Sequence, residues 1–267
     1  MSSTASSFTG SVPTYYDRCL GPVLFEPYAA DLVRRIGATD RLRVLEIACG
    51  TGIVTRRLRG ALPASATLIA TDLNAAMLLY AQAAVTEPGI EWQTADAQAL
   101  PFADAAFDAV VCQFGFMFLP DKPLGFREAR RVLAPGGVLY ANVWQSMAQN
   151  PYVLAFQAAF ARLFPVDPPR FFETPYGYHD AEQLRADMAA GGWGQVQLED
   201  VTLQSTSPSA AEFATGFVRG SPLTHELTQR GADLDAMIRE LADALISVGG
   251  ARPFTANLTA TVITAAR

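Results

Sequence analysis

The sequence predicts an α/β fold in which helices cover both faces of a doubly wound, mainly parallel sheet. Five short apolar runs, each suited to a buried strand, alternate with helical segments between Leu42 and Trp144. Alternation at that spacing is typical of right-handed βαβ units. Of the 267 residues, 50% are hydrophobic and 17% are charged, so the chain can bury the core that such a fold requires.

The elements of this core follow in order from apolar periodicity and turn residues. A first helix is expected from about Pro22 to Ile36. Strands are expected at 42–47, 67–71, 89–96, 107–118 and 138–144, the fourth running into a loop. Helices at 51–60, 74–85 and 123–133 lie between them. We expect Gly136-Gly137 to end the last of these helices before the fifth strand begins.

The pattern changes after Trp144. Helices are expected at 150–164, at 181–190 and over much of 210–248, with a loop rich in proline and aromatic residues at 164–180. Strands near 195–204 and at 255–267 predict a hairpin-like addition to the sheet edge, which gives seven strands in total. The predicted organisation is therefore an N-terminal segment with a cap helix (1–40), a ligand-binding core (41–145), and cap insertions plus the last strands (146–267).

Composition restricts the partners and the compartment. A net charge of −6 and a single lysine, Lys122, argue against nucleic acid and against anionic membrane surfaces. No uncharged apolar run reaches the ~18 residues of a spanning helix, so membrane insertion is not expected. The three cysteines form no CxxC pair and the first residues do not resemble a secretion signal, which favours the cytoplasm. The sequence is compatible with a homodimer.

The stretch "VLEIACGTG", Val44–Gly52, predicts a ligand site. Ligands of open parallel sheets bind where strands end and their connections diverge. Gly50 and Gly52 let the backbone approach a ligand closely, and the helix that follows presents unpaired N–H groups. Glu46 would lie at the end of the strand, where a carboxylate can order the loop or meet an ammonium group. A tight strand–helix turn without a ligand explains the same pattern.

Two further acids follow the next two strands. Asp72 lies 20 residues beyond Gly52, at the position from which a carboxylate can bind both hydroxyls of a ribose. Asp96 follows the third strand, where it could accept a hydrogen bond from an adenine amino group. Each acid alone is better explained as a helix N-cap or a turn residue. Together with Glu46, they form an ordered set on successive strand ends and favour a nucleoside ligand.

Five segments, "VLEIACGTG", "ATDLNAAML", "TADAQALPF", "FDAVVCQFGFMFLPD" and "RVLAPGGVLYANVW", resemble successive motifs of class I S-adenosylmethionine-dependent methyltransferases. The similarity is greatest to the ubiquinone/menaquinone-biosynthesis group, with its type 11 methyltransferase domain, and covers about Leu42 to Trp144. It implies a Rossmann-like fold and S-adenosyl-L-methionine as cofactor. The reaction it implies is methyl transfer to a small, aromatic or apolar metabolite by direct in-line displacement.

The resemblance also implies roles at the methionine end of the cofactor. Ala48, Gly50, Thr51 and Gly52 would wrap this part, and Glu46 would help to place its amino-acid group. Ala48 departs from the family pattern, since many members have glycine there.

Asp72 would hold the ribose, with Leu73 and Met77 flanking the adenine. Asp96 and Ala97 would meet the adenine edge.

Three residues are expected beside the reacting atoms. Gln113 and Phe114, after the fourth strand, would lie next to the sulfonium and the acceptor entrance. Tyr16 belongs to a segment that can fold over the cofactor in relatives. Candidate aromatic residues for an apolar acceptor pocket are Phe160, Phe164, Phe171, Phe172, Tyr176 and Tyr178.

In-line displacement needs no covalent protein intermediate, but a hydroxyl acceptor would benefit from a base. His179, in "TPYGYHD", is the candidate because a neutral imidazole suits proton transfer near pH 7. A cap on the helix that starts near Asp180, or a solvated surface position, is the simpler explanation of this histidine. No metal is expected.

Other functions are less well supported. The glycine motif of an NAD(P)-dependent reductase requires a third glycine, but the two positions where it would fall hold Ile53 and Thr55. The Tyr-x-x-x-Lys pair of short-chain reductases is also absent from the sequence, because the residue four positions before Lys122, the only lysine, is Phe118. A non-catalytic S-adenosylmethionine-binding module is also compatible with the sequence. A thiol-based metalloid methyltransferase using Cys49 and Cys112 is disfavoured, because both positions suit a small buried residue.

Overall fold

The computed structural model describes residues 10–37 and 42–267. One seven-stranded sheet runs through the molecule in the order β3-β2-β1-β4-β5-β7-β6. Its strands are β1 (Arg43–Ile47), β2 (Thr67–Asp72), β3 (Ile90–Thr94), β4 (Phe107–Gln113), β5 (Leu133–Trp144), β6 (Gln197–Ser207) and β7 (Phe254–Ala266). Strands β1 to β5 are parallel, whereas β7 pairs antiparallel with both β5 and β6. The predicted doubly wound, mainly parallel α/β fold is confirmed.

The helices of the core follow the predicted alternation. They are α3 (Ile53–Ala61), α4 (Ala75–Ala84) and α5 (Lys122–Val132). The side chains of Asn74 and Asp121 accept hydrogen bonds from the first backbone N–H groups of α4 and α5, which fixes where these two helices begin. Strand β4 shows the nearly continuous burial expected of a central parallel strand, whereas β3, at the edge of the sheet, is half-buried to exposed.

The cap helices come from the second half of the chain, as predicted. They are α6 (Pro151–Leu163), α7 (Glu173–Tyr176), α8 (Ala181–Ala190), α9 (Ala210–Gly220), α10 (Leu223–Gln229) and α11 (Leu234–Gly249). The short helix α7 lies inside the segment that was expected to be loop throughout. None of the helices in residues 10–37 and 42–267 combines the length and the apolar character that crossing a bilayer requires.

The N-terminal helix starts earlier than predicted. Helix α1 (Val12–Tyr15), a π-helix (Tyr16–Phe25) and α2 (Glu26–Ile36) follow one another without a break, so a start at Pro22 is wrong. The early start coincides with a close approach to α9. A Cβ atom added at Gly220 would lie 2.6 Å from the backbone N of Tyr16, and one at Gly216 would lie 2.6 Å from the Leu20 side chain. Residues 1–9 and 38–41 of the predicted N-terminal segment lie outside the described residues.

The prediction that Gly136-Gly137 precede the fifth strand is also wrong. Strand β5 already begins at Leu133, and the two glycines lie within it. Gly136 has a φ of 80°, and the pairing of β4 with β5 shifts register between Phe107 and Ala109. The glycines therefore form an irregularity inside the strand, a known use of glycine in sheets.

Candidate functional site

The loop between β1 and α3 has the backbone conformation that a ligand-binding turn requires. Ala48, Gly50 and Gly52 have φ values of 56°, 57° and 84°, in the left-handed region that favours glycine. The loop is held by a hydrogen bond of 2.9 Å from the Cys49 N–H to the Thr71 carbonyl. At Gly52 the space is also closed, because a Cβ atom would lie 2.8 Å from the Val85 side chain.

Asp72, at the end of β2, links this loop to the next helix. Its two carboxylate oxygens accept backbone N–H hydrogen bonds of 2.8 Å, Oδ2 from Gly50 and Oδ1 from Asn74. Burial raises the pKa of Asp72, and the hydrogen bonds from Asn74 and Gly50 oppose this rise. Each carboxylate oxygen can accept more than one hydrogen bond, so the group retains acceptor sites for the hydroxyls of a ligand.

A pocket with an empty volume of about 300 Å³ lies over the β1–α3 loop. It is lined by Tyr16, Phe25, Glu46, Ala48, Cys49, Gly50, Thr51, Ile53, Val54 and Gln113. Three buried polar atoms on this lining have no hydrogen-bond partner among the described residues: Glu46 Oε2, Thr51 Oγ1 and Gln113 Oε1. Burial raises the pKa of Glu46 to about 8, and the nearby Asp72 carboxylate adds to the rise.

These unpartnered atoms fit the amino-acid end of a sulfonium nucleoside. An ammonium group carries three N–H donors and no acceptor, and buried oxygens without partners are unfavourable until a donor reaches them. The group would also supply the positive charge that an ionised Glu46 needs in a buried pocket. The residues present therefore suit S-adenosyl-L-methionine at this end of the pocket.

The residues predicted around the adenine lie at the ends of β2 and β3. The side chain of Leu73 is 50% exposed, while Met77 and Ala97 are buried. Asp96 accepts a hydrogen bond of 2.8 Å from the Gln98 N–H through Oδ1. These four residues do not line the 300 Å³ pocket. Met77 lies beside the β1–α3 loop, since a Cβ atom added at Gly50 would be 3.9 Å from its Cε atom. The half-exposed side chain of Leu73 could cover a flat ring.

A second cavity, with an empty volume of about 470 Å³, adjoins the first and is formed mainly by aromatic side chains. Its lining residues are Tyr16, Leu20, Leu24, Phe25, Phe114, Met117, Phe118, Trp144, Phe171, Pro175, Tyr176, Phe217, Ser221 and Pro222. Tyr16 and Phe25 line both spaces, and their rings stack with centroids 4.6 Å apart. Consecutive residues of the chain, Gln113 and Phe114, face the first and the second space respectively.

The aromatic walls are fixed by packing. Phe114 has a φ of 52° and stacks on Trp144 at 3.9 Å between centroids. The backbone N–H of Phe114 donates to Asn142. No side chain of an Asp, Glu, Lys, Arg or His residue lines this cavity among the described residues. The cavity therefore suits an apolar, uncharged molecule.

The aromatic candidates from the sequence divide into two groups. Phe171 and Tyr176 line the second cavity. Phe160 and Phe172 are 1% exposed and pack within the cap, while the remaining two candidates lie in other contacts. Phe164 faces the Arg230 guanidinium, and the Tyr178 hydroxyl donates to Asp187.

His179 lies three residues beyond Tyr176, with its Nδ1 atom 2.9 Å from the Tyr176 carbonyl oxygen. It does not line either cavity, and its role as a base stays a prediction. The sequence reasoning missed Trp144, Met117 and Phe217 as cavity residues. A signal existed for Trp144 alone, because it ends a predicted strand beside the ligand edge of the sheet.

The two thiols near the site are not in a reactive state. Burial raises the pKa of Cys112 to about 12 and that of Cys49 well above its usual value. Because the thiolate is the nucleophile and the metal ligand, protonated thiols at these positions offer no support for metalloid chemistry.

Comparison with known proteins identifies the family. Residues 45–141 match the model of the methyltransferase domain. A demethylmenaquinone methyltransferase from Thermus thermophilus is 33% identical over 184 residues, which are 62% of this chain and 83% of that protein. The chain belongs to the class I S-adenosylmethionine-dependent methyltransferase family. The cofactor expected from the sequence, S-adenosyl-L-methionine, is the methyl donor of this family.

Two further similarities concern the chain as a whole. An uncharacterised protein of Mycobacterium tuberculosis is 39% identical over 123 residues, which are 44% of this chain and 43% of that protein. The chain therefore spans less than half the length of that relative. The solved structure of phosphoethanolamine N-methyltransferase 2 from Haemonchus contortus, in complex with S-adenosyl-L-methionine, superposes with a TM-score of 0.62 at 16% identity. The alignment covers 98% of this chain and 58% of that one, and it shows the shared fold.

Proposed function

We propose that this protein transfers the methyl group of S-adenosyl-L-methionine to a small, apolar or aromatic metabolite by direct in-line displacement. The observation that carries the proposal is the shared wall of the two cavities. A polar pocket with unpartnered acceptors touches an aromatic cavity through Tyr16 and Phe25. One space suits the donor and the other suits an apolar acceptor, so a methyl group at their junction could pass from one to the other.

The protein's part in this reaction is to bind, to orient and to exclude water. When bound, the cofactor supplies an electrophilic methyl group on a sulfonium. Asp72 and the β1–α3 loop would hold the nucleoside and the methionine part, with Glu46, Thr51 and Gln113 as partners of the ammonium group. The stacked rings of Phe114 and Trp144 would fix the plane of the acceptor. Holding two reactants in line in this way supplies much of the catalysis in direct displacements.

A base is needed only for some acceptors. The two tyrosines of the aromatic cavity, Tyr16 and Tyr176, have pKa values raised by burial and would act as donors. For a hydroxyl acceptor, His179 is our candidate base, because it follows a residue of the cavity wall by three positions.

The remaining predictions on environment belong to the same proposal. Three free, buried cysteines, Cys19, Cys49 and Cys112, support a reducing compartment such as the cytoplasm. A net charge of −6 supports a small-molecule acceptor over nucleic acid. A homodimer would be compatible with this function.

Calorimetric titration with S-adenosylmethionine and S-adenosylhomocysteine tests the proposal, with NAD as a control ligand. We expect both sulfur nucleosides to bind and NAD not to bind. Asp72→Ala removes the partner of two backbone N–H groups and of the ribose, and should weaken binding at least tenfold. The matched control is Asp243→Ala, an exposed acid on α11. Failure of the wild-type protein to bind either sulfur nucleoside would contradict the proposed function.

Binding alone does not separate an enzyme from a binding module. Incubation with labelled S-adenosylmethionine and a panel of aromatic and apolar acceptors distinguishes the two. Formation of S-adenosylhomocysteine that depends on the acceptor supports catalysis. Tight cofactor binding with no turnover on any acceptor class supports the module.

A further inference from the structure

Two tyrosine hydroxyls are hydrogen-bonded to each other beside the aromatic cavity. Tyr152 lies on α6 and Tyr176 on α7, and their hydroxyl groups are mutual partners. Tyr152 is 0% exposed and Tyr176 is 2% exposed. Across residues 10–37 and 42–267, neither hydroxyl has a second hydrogen-bond partner. Burial raises the pKa of both tyrosines, so each keeps its proton at neutral pH.

A count of protons shows that this pair is incomplete. Two hydroxyls bring two O–H donors, and the bond between them uses only one. The second proton is buried with no acceptor, which is unfavourable in a protein interior. Much of the surroundings of Tyr152 is apolar, since the rings of Phe156, Phe213 and Phe217 lie with centroids 5.2–6.1 Å from its own.

The positions of the two tyrosines determine which hydroxyl proton a ligand could reach. Tyr176 lines the aromatic cavity, whereas Tyr152 does not. When Tyr152 donates to the Tyr176 oxygen, the Tyr176 proton remains for a molecule in the cavity. The hydroxyl of Ser221, also on the lining, is already used: it donates to the Phe217 carbonyl at 2.7 Å and accepts from the Leu223 N–H at 3.3 Å. Tyr16 lies on the boundary with the cofactor pocket.

We infer that the methyl acceptor is a neutral aromatic molecule with a carbonyl oxygen, and that the Tyr176 hydroxyl donates a hydrogen bond to this oxygen. The inference rests on the proposed function and adds the substrate class. A carbonyl oxygen is an acceptor only, so it completes the pair without bringing another donor into the cavity. A charged group would find no counterion there, because the described part of the chain places no ionisable side chain other than tyrosine on the cavity lining.

A matched pair of probes tests the carbonyl preference without knowledge of the natural acceptor. The probes are 2-acetylnaphthalene and the hydrocarbon 2-ethylnaphthalene, titrated into protein saturated with S-adenosylhomocysteine. We expect the wild-type protein to bind the ketone about tenfold more tightly than the hydrocarbon, which corresponds to about 1.4 kcal/mol. In Tyr176→Phe this preference should disappear while hydrocarbon binding stays the same.

Two further variants exclude a purely structural effect. Tyr152→Phe leaves the Tyr176 proton available and should keep the preference for the ketone. If Tyr176→Phe alone does not fold, the double variant Tyr152→Phe/Tyr176→Phe, which leaves no unpaired hydroxyl, takes its place and should also lack the preference.

The inference is overturned if the wild-type protein binds the two probes equally, if it binds neither, or if the preference survives in Tyr176→Phe. Loss of S-adenosylhomocysteine binding in the wild-type protein would instead contradict the proposed function, so the two failures are distinguishable.

Discussion

Cofactor binding should release a proton from Glu46. In the free protein, burial raises the pKa of this carboxyl from an ordinary value of 4.5 to about 8, so the group is almost fully protonated at pH 6.5. An ammonium group placed against Glu46 Oε2 favours the ionised carboxylate. The pKa of Glu46 then falls, and the proton leaves as the cofactor binds.

The structure sets the size of this effect. At pH 6.5 the release should approach one proton per cofactor molecule, because the free carboxyl is protonated and the bound one is ionised. The affinity for S-adenosylhomocysteine should then rise about tenfold per pH unit between about pH 5 and pH 8. Calorimetry in two buffers of different ionisation enthalpy counts the protons directly, since the observed heat changes with the buffer in proportion to the protons released.

Glu46→Gln is the informative variant, because the amide has nearly the shape of the carboxyl and does not titrate. We expect it to bind more weakly, with no proton release and no pH dependence of affinity between pH 5 and pH 8. Asp243→Asn, at an exposed position on α11, serves as the control. A wild-type count near zero, or an equal count in Glu46→Gln, would refute this reasoning.

The same group should affect the stability of the free protein. Because the pKa of Glu46 is higher in the folded state, this carboxyl binds more protons in the folded protein than in the unfolded chain between about pH 4.5 and pH 8. Its contribution to the free energy of unfolding should therefore fall as pH rises through this window. The two pKa values imply a contribution of up to about 5 kcal/mol, and urea titrations of Glu46→Gln should lack it.

Two other substitutions test how the loops of the site are held. Gly52→Ala combines a positive φ with a Cβ atom 2.8 Å from a valine side chain. We therefore expect the free energy of unfolding in urea to fall by about 1–3 kcal/mol. Gly60→Ala changes a helical position with open space and should instead raise the free energy of unfolding by about 0.5–1 kcal/mol. Unchanged stability in Gly52→Ala would contradict the conformation of the loop. Arg131→Met removes hydrogen bonds of 2.7 and 2.9 Å to backbone carbonyls at 100–102. Relative to the exposed control Arg127→Met, this variant should lower the free energy of unfolding by about 2 kcal/mol and weaken nucleoside binding severalfold. Equal behaviour of the two variants would show that Arg131 does not hold the segment 100–102 in place.

The core was predictable from the sequence because its signals are local. Apolar strands, glycine turns and the strand-end acids Asp72 and Asp96 each depend on a few neighbouring residues. The start of the first helix was not predictable, since Pro22 gives a strong local signal for a helix start. The longer helix packs closely against Gly216 and Gly220, which lie about two hundred residues further along the chain.

The aromatic cavity was predictable only in part, for a related reason. Phe171 and Tyr176 were candidates because binding residues concentrate on loops. Trp144 reaches the same cavity from the end of a strand beside the ligand edge, which was a signal in the sequence. Phe217 reaches it from a cap helix, and no short stretch of sequence carries that information. The hydroxyl partner of Tyr176 lies on α6, so its incomplete hydrogen bonding also emerges only from the folded structure.

If the acceptor occupies the aromatic cavity as proposed, the shared wall of Tyr16 and Phe25 would make the two ligands thermodynamically dependent on each other. A molecule that contacts these rings on one side would then change the space on the other side. By reciprocity, the factor by which the cofactor changes the affinity for the acceptor equals the factor by which the acceptor changes the affinity for the cofactor. Specificity for the acceptor would then not depend on the aromatic cavity alone. It would also depend on what occupies the adjoining pocket: the methyl donor, the demethylated product, or no ligand.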